Sequence, residues 1–418
     1  MTTGSWLRTG TGPAALGSLV SLGAQAAMAL FLLGLFEPQA VGVFSVVAQI
    51  AFGWATLALA QSPVSLLANQ HLAALPAARL AWRSSLGRWL WLAPAAALAA
   101  WWSAPAAPAS PHLPAWATPL AWAAAIALVQ MGWLLAQSLT LRLQAPWSVA
   151  AVRLLPPVVA AALAATAALA LDWRSSSALT TAALAGYAVG ALWLLPALRA
   201  PLGQTLTDPA FKASPQSAAA GDARSERLKF THTLSDVLVA TALATHWASV
   251  YGPAQAGCLL ILLRVMGFIP ALVSTAWAQV VLSRPQTQRP SSALAALAGA
   301  LAVATVGLLT GLAVQTGWLA GPWVALQDYL WPVALWQMAA SVMAAASHRP
   351  FVHGQAARYT HQCLAMNAVQ ALIVLLPPWL GWPLQTHLWA LAGFLCAALA
   401  LQALWAARLG AADAGDPR

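Results

Sequence analysis

Apolar stretches of about 20 residues alternate with short polar clusters along the chain, and that spacing predicts membrane-crossing helices. A hydrocarbon core roughly 30 Å thick needs about 20 helical residues to cross it. Within lipid, a helix is the element that satisfies its backbone hydrogen bonds inside one segment. The stretches fall at 13–36, 41–62, 86–104, 115–138, 149–171, 177–198, 230–251, 256–282, 292–316, 329–347, 357–378 and 386–407. The expected fold is an all-α polytopic membrane protein with about twelve transmembrane helices.

Composition agrees with that pattern. The 418 residues are 61% hydrophobic and hold only 19 Lys/Arg and nine Asp/Glu. Alternate connections carry the basic residues: Arg8; Arg79, Arg83 and Arg88; Arg142 and Arg153; Arg199, Lys212, Arg224, Arg227 and Lys229; Arg284 and Arg289; Arg349 and Arg358; Arg408 and Arg418. The opposite connections hold Arg174, and Arg264 lies inside a span. By the positive-inside rule both termini are expected in the cytoplasm, with the chain in the cytoplasmic (inner) membrane. Glu37, Asp172 and Asp328 fall in the outer connections. Trp101, Trp102, Trp116, Trp173, Trp318, Trp323, Trp379 and Trp382 fall at outer helix ends, as an interfacial belt would. The high net charge therefore reads as orientation and contact with anionic lipids, with no nucleic acid partner. The first apolar stretch is too long for a cleavable signal peptide and is closely followed by another. Cys258, Cys363 and Cys396 lie in apolar spans without CxxC spacing and read as small buried hydrophobes. No metal or other cofactor is expected.

The polar, Pro/Ser/Ala/Gly-rich segment 199–229 divides the chain. The expected organisation is a six-helix lobe at 1–198, an inter-lobe linker at 199–229, a second six-helix lobe at 230–407 and a tail at 408–418. Pro38-Gln39-Ala40-Val41-Gly42 follows the first helix and Pro253-Ala254-Gln255-Ala256-Gly257 follows the seventh. Both prolines and both glycines are 215 residues apart, and the same offset relates Gln49 to Arg264. An even number of spans separates the copies, so the repeat is parallel, about an axis along the membrane normal. Proline sets each turn, and glycine lets the following helix start close to its neighbour.

The stretch Leu30–Gln61, with Gly42-Val43-Phe44-Ser45 opening its second helix, resembles the first hairpin of polysaccharide flippases, the Wzx-type O-antigen and exopolysaccharide exporters. His246–Gln279, with its Ala-Gly pair and the mid-helix Pro270, resembles their seventh–eighth hairpin. The resemblance implies the fold of the multidrug/oligosaccharidyl-lipid/polysaccharide exporter superfamily: two six-helix lobes related by a parallel pseudo-twofold, MATE-like. It also implies a lipid pyrophosphate-linked saccharide as cargo. The chain departs from the family in lacking many of the Lys, Asp and Glu residues often found in the cavity.

Arg264 is the sharpest candidate for chemistry. It lies about ten residues into the eighth helix, roughly 15 Å from the turn centre. Arginine at depth costs about 2.5–3.5 kcal/mol on insertion scales, so it is expected to face a cavity or a partner. A guanidinium stays charged and presents a fork of donors to phosphate oxygens, which suits an anionic cargo; a structural arginine that snorkels or bonds helix carbonyls is the alternative. His246, at similar depth on the seventh helix, and Gln49, its counterpart position in the first lobe, are candidate cargo contacts; His246 could also handle protons or simply pack. Asp236 and His232 share a helix face at i, i+4 and are candidates for ion coupling, although an acid early in a helix also suits the macrodipole. Arg88 and Arg153, at inner helix ends, could receive an anionic headgroup or only set topology. His348, His353 and His361 surround an inner loop with Arg349 and Arg358; their spacing is no zinc pattern, and a solvated basic loop is expected. Pro156-Pro157, Pro196, Pro270, Pro332 and Pro377-Pro378 interrupt spans, as discontinuous transporter helices do.

The leading functional reading is alternating-access flipping of lipid-linked oligosaccharide, not an enzyme activity. Its expected partners are the lipid-linked saccharide, membrane lipids, and the polysaccharide polymerase and glycosyltransferases of the same pathway. Within the superfamily the alternative is a multidrug exporter, whose cationic cargo favours acidic residues. A membrane saccharide polymerase or ligase is the alternative from another class. The outer connections offer only Glu37, His112, Asp172, Arg174 and Asp328 for catalysis, and no nucleotide-binding loop is present.

Overall fold

The computed structural model describes Ala29 and residues 32–68, 72–104, 114–143, 146–199, 223–282, 292–319 and 321–412. Among the described residues every regular element is helical. The helices are α1 (Pro38–Leu59), α2 (Ser62–Ala68), α3 (Ala74–Trp91), α4 (Ala93–Ser103), α5 (Ala117–Arg142), α6 (Pro146–Ala170), α7 (Ser176–Ala191), α8 (Leu195–Arg199), α9 (Ala223–Tyr251), α10 (Pro253–Leu282), α11 (Ser292–Gln315), α12 (Leu326–Ala346), α13 (Arg349–Val352), α14 (Ala356–Leu375) and α15 (Leu384–Ala412). Nine helical segments among the described residues are long and apolar enough to cross a membrane, which makes this a multi-pass membrane protein. Of the first expected span, 13–36, all but Ala29 and residues 32–36 lie outside the described residues, as do 200–222 of the expected linker.

The third expected span differs most from its sequence reading. In place of one helix at 86–104, α3 begins at Ala74 and ends at Trp91, and α4 runs from Ala93 to Ser103. Arg79, Arg83, Arg88, Ser84 and Ser85 dilute the apolar signal of α3, so hydropathy alone misses its first turns. Pro94 opens α4 and has no N–H for the Leu90 carbonyl, so the helix breaks at Leu92. Similarly, the charged start of α9 hid its first turns, and the helix begins at Ala223 rather than 230.

The chain forms two compact units. Val43–Thr241 build the first; Glu37–Gly42 and the residues from Ala242 onward build the second. In the first unit α5 is the central helix, packed by α2, α3, α6 and α7. Pro156 lies inside α6 and cannot donate to the carbonyl of Val152. The indole N–H of Trp133 on α5 donates to that carbonyl instead, at 2.6 Å. On the other side of the proline, a Cβ at Gly186 of α7 would come 2.5 Å from the Pro156 oxygen, so α6 and α7 approach backbone to backbone. Lipid removes most of the hydrophobic drive between helices, and close packing across small residues of this kind replaces it.

In the second unit α12 is central, between α10, α11 and α15. At one end of this unit the two copies of the sequence repeat meet. A Cβ on Gly42 would collide with the Pro253 carbonyl oxygen, and a Cβ on Gly257 with that of Pro38. The same imagined atoms would lie 2.9 Å from the Gly257 nitrogen and 3.0 Å from the Gly42 nitrogen, respectively. The first turns of α1 and α10 thus pack reciprocally, backbone on backbone.

Candidate functional site

Polar side chains within the spanning helices define the candidate site. Arg264 lies on α10 opposite its buried face of Cys258, Leu262 and Met266, and it is exposed. It follows Gly257 by seven residues, two helical turns, so it continues the stripe that starts at the Gly42 crossing, about 10 Å further along the axis. Gln49 follows Gly42 by the same seven residues on α1 and is half-buried. Gln49 belongs to the first unit and Arg264 to the second. His246 is only 3% exposed, so it sits in the interior of the second unit while Arg264 lies open.

His232 and Asp236 meet as their spacing requires: His232 Nδ1 is 3.3 Å from Asp236 Oδ1, with the carboxylate side chain half exposed. Arg153 is half-buried on α6, one turn before Pro156. A shallow cavity of about 270 Å³ in the first unit is lined by Thr56, Leu59, Pro63, Leu134, Gln137 and Leu141, and none of the seven expected site residues lines it.

Arg88 has a defined structural task. Its Nε donates to the Ala58 carbonyl at 2.6 Å, and its Nη2 donates to the Leu59 carbonyl, Ser62 Oγ and Ser85 Oγ at 3.1, 2.7 and 3.2 Å. The last carbonyls of α1 have no helical donor, and Arg88 supplies one from another helix. Arg142 does the same for the Leu66 carbonyl at the end of α2 and for Leu72. Arg349 donates to the Ala407 carbonyl and to Ser292 Oγ at 2.9 and 2.8 Å. The expected solvated loop around Arg349 is therefore ordered: α13 and the start of α14 replace it, and Arg358 lies over the Trp405 ring at 5.5 Å. Arg88→Ala is expected to cost about 1–3 kcal/mol by orphaning these acceptors. Lysine, a point donor, is expected to restore only part. A thermal denaturation midpoint in detergent that Arg88→Ala leaves unchanged would show that water serves the α1 carbonyls equally well.

The tryptophans of the expected belt differ in exposure. Trp101, Trp102, Trp173, Trp318, Trp379 and Trp382 are exposed, and Trp116 is intermediate. Trp323 is 5% exposed and packs inward, so it is no headgroup anchor. Cys258 and Cys363 are buried, and Gln402 donates to the Cys363 sulfur at 3.2 Å; Cys396 is only partly covered.

The sequence reading missed a second polar centre, in the interior of the second unit. Tyr329 Oη accepts from Trp247 Nε1 at 3.3 Å and donates to Gln255 Oε1 at 2.9 Å. Tyr251 Oη lies 2.9 Å from His387 Nδ1, and His387 Nε2 lies 2.8 Å from the Ile373 carbonyl. The Trp247 ring centroid is 4.8 Å from that of Tyr251 and 4.7 Å from that of His387. Trp247, Tyr329 and His387 are completely buried.

With this geometry in view, likeness to solved structures is informative. A crystal structure of MATE in complex with MaL6 superposes with a TM-score of 0.51 at 12% identity, over 97% of this chain and 96% of that one. A MOP superfamily transporter from Pyrococcus furiosus, described by the reverse polarity of its binding pocket, superposes with a TM-score of 0.52 at 13% identity, over 97% and 95%. No family model matches the chain, and no curated protein matches it. At such identities the likeness establishes the fold: the chain has the all-helical, MATE-like architecture found in MOP superfamily transporters.

Proposed function

We propose that the chain is a transporter that flips a lipid pyrophosphate-linked oligosaccharide from the cytoplasmic to the outer leaflet of the inner membrane, for surface polysaccharide biosynthesis. Both termini lie in the cytoplasm in this reading, and alternating access of a MATE-like fold moves the cargo. The observation that carries it is Arg264: a guanidinium deep in a spanning helix, on the face away from the packed core of its unit. Such a group is costly in lipid and suited to phosphate oxygens. Outward movement of an anion is also favoured by an inside-negative potential, by about 2.3 kcal/mol per charge per 100 mV. Gln49 and Arg153 are the supporting cargo contacts. Glycosyltransferases would supply the cargo and a polysaccharide polymerase would consume it.

Depleting the protein in its own cell tests this reading. Lipid-linked saccharide is expected to accumulate on the cytoplasmic face; a normal surface glycan with no accumulation would reject the proposal.

A multidrug exporter is the second reading, and the exposed Asp236 carboxylate is the observation that favours it. A cationic cargo or a counter-transported proton would use that carboxylate. Asp236→Asn is then expected to flatten the pH profile of transport, and an unchanged profile would remove Asp236 from any coupling role.

A further inference from the structure

The open cavity of the first unit is lined by polar groups that the protein itself leaves unused. Thr56 and Leu59 come from the last turns of α1, and Leu134, Gln137, Ser138 and Leu141 from the last turns of α5. Ala60, which follows α1 with a φ of +46°, also lines the cavity; alanine adopts such a left-handed turn only at a cost. Among the described residues the Thr56 hydroxyl and the Gln137 carboxamide bond no protein group. The Ser138 hydroxyl reaches only the Leu134 carbonyl, at a long 3.5 Å. The same face of α5 continues into the unit. Gln130 precedes Leu134 by four residues and Gln137 by seven, which puts all three on one side of the helix. Its side chain is 5% exposed, and its Oε1 has no hydrogen-bond partner among the described residues. A buried acceptor left unused is costly, so a donor from outside the chain is expected along this face.

The charges nearest the cavity are already engaged. Arg88 donates to the carbonyls of Ala58 and Leu59 at the α1 wall, and Arg142, next to Leu141, donates to those of Leu66 and Leu72. No lining residue is charged. An anionic headgroup would therefore meet guanidinium groups that carbonyls already hold. An alkyl chain would suit the leucines but would desolvate the hydroxyl and the carboxamide without giving them a partner. A sugar ring meets both demands. Its C–H faces suit Leu59, Leu134 and Leu141, and its hydroxyls both donate and accept. A carboxamide offers two donors and an acceptor oxygen, and a threonine hydroxyl offers one donor and two lone pairs. The volume of about 270 Å³ lies just below the roughly 300–1,000 Å³ of pockets for drug-sized ligands, which suits a single ring.

The geometry points to a binding site for one neutral, hydroxyl-rich sugar ring between the ends of α1 and α5, with Thr56 and Gln137 as its hydrogen-bonding residues. That the ring belongs to the transported saccharide rests on the transport reading above; the site's preference for a neutral ring does not. In that reading the ends of α1 and α5 lie on the cytoplasmic side, where the cargo is taken up.

The test is photo-crosslinking of the full chain in lipid nanodiscs with three probes that carry the same diazirine at the head of the same alkyl chain: an alkyl glucoside, an alkyl alcohol and an alkyl phosphate. Labelled positions are read by peptide mass spectrometry. The glucoside is expected to label residues 54–63 and 134–141 well above the other two probes, and an excess of unlabelled alkyl glucoside is expected to displace it. Thr56→Val combined with Gln137→Leu keeps the shape and removes the hydrogen bonds. Loss of two neutral hydrogen bonds implies roughly a tenfold fall in glucoside labelling. Should that variant fail to fold, the three probes on the wild type decide alone. Equal labelling by the alcohol would make the cavity a crevice for lipid chains, and preference for the phosphate would make it an anion site; either result overturns the proposal, as does glucoside labelling that cannot be displaced. Displaceable labelling without flipping of lipid-linked saccharide would sink the transport reading and leave the site standing. Flipping without labelling would do the reverse.

Discussion

Alanine at Gly42 or Gly257 is expected to be among the most damaging single-methyl additions in the protein. At each site the new Cβ meets a proline carbonyl of the other repeat copy and, at about 3 Å, the backbone nitrogen of the other glycine. Both obstacles are main chain, so no rotamer change relieves them, and the first turns of α1 and α10 must separate. Overpacking of a tight site costs about 1–3 kcal/mol, and the absence of a flexible neighbour puts these substitutions at the upper end. Gly393 on α15 supplies the control. A Cβ there meets nothing within 4 Å, and a helical Gly→Ala change on its own is favourable by about 1 kcal/mol. Thermal denaturation in detergent is expected to show a lowered midpoint for Gly42→Ala and Gly257→Ala and an unchanged or raised one for Gly393→Ala. Equal midpoints for all three would mean that the crossing is not closely packed in the protein.

The second large effect concerns Arg264. Removing one partner of a desolvated, hydrogen-bonded charge pair costs about 2–5 kcal/mol. Arg264→Ala is therefore expected to lower transport of lipid-linked saccharide by roughly 30-fold or more. Arg264→Lys keeps the charge but loses the planar fork, and an intermediate loss of about tenfold is expected. Because Arg264 lies on the exposed side of α10, neither change should alter the packing of Cys258, Leu262 and Met266. Full transport by Arg264→Lys would argue against a bidentate phosphate contact, and full transport by Arg264→Ala would remove the residue from the cargo path.

Much of the scaffold was legible because lipid imposes simple rules. Spans at 115–138, 149–171, 292–316 and 386–407 reappear as α5, α6, α11 and α15 with ends shifted by a few residues. The repeated motif was legible as well, as two prolines and two glycines at one offset; that the two copies meet at the start of α1 and α10 was not, because a sequence offset carries no information on contact. What stayed hidden depends on tertiary partners. Arg88, Arg142 and Arg349 fit the positive-inside pattern, and that fit concealed their donation to helix-end carbonyls on other segments. His387 gave no sequence signal, because its partners are a carbonyl orphaned by Pro377 and a phenol 136 residues away. Trp323 reads as a belt residue by position and is buried by its neighbours. His246 was grouped with Arg264 on depth alone; depth carries no information on which way a side chain faces.

The central claim, that this fold moves a lipid pyrophosphate-linked saccharide across the bilayer, is tested most directly by reconstitution. Purified protein is placed in liposomes with a lipid pyrophosphate-linked oligosaccharide in the inner leaflet, and its appearance outside is read by a membrane-impermeant saccharide-cleaving enzyme. The account predicts protein-dependent exposure of the inner pool, reduced to near the protein-free rate by Arg264→Ala. An inner pool that stays protected in the presence of folded wild-type protein would contradict it.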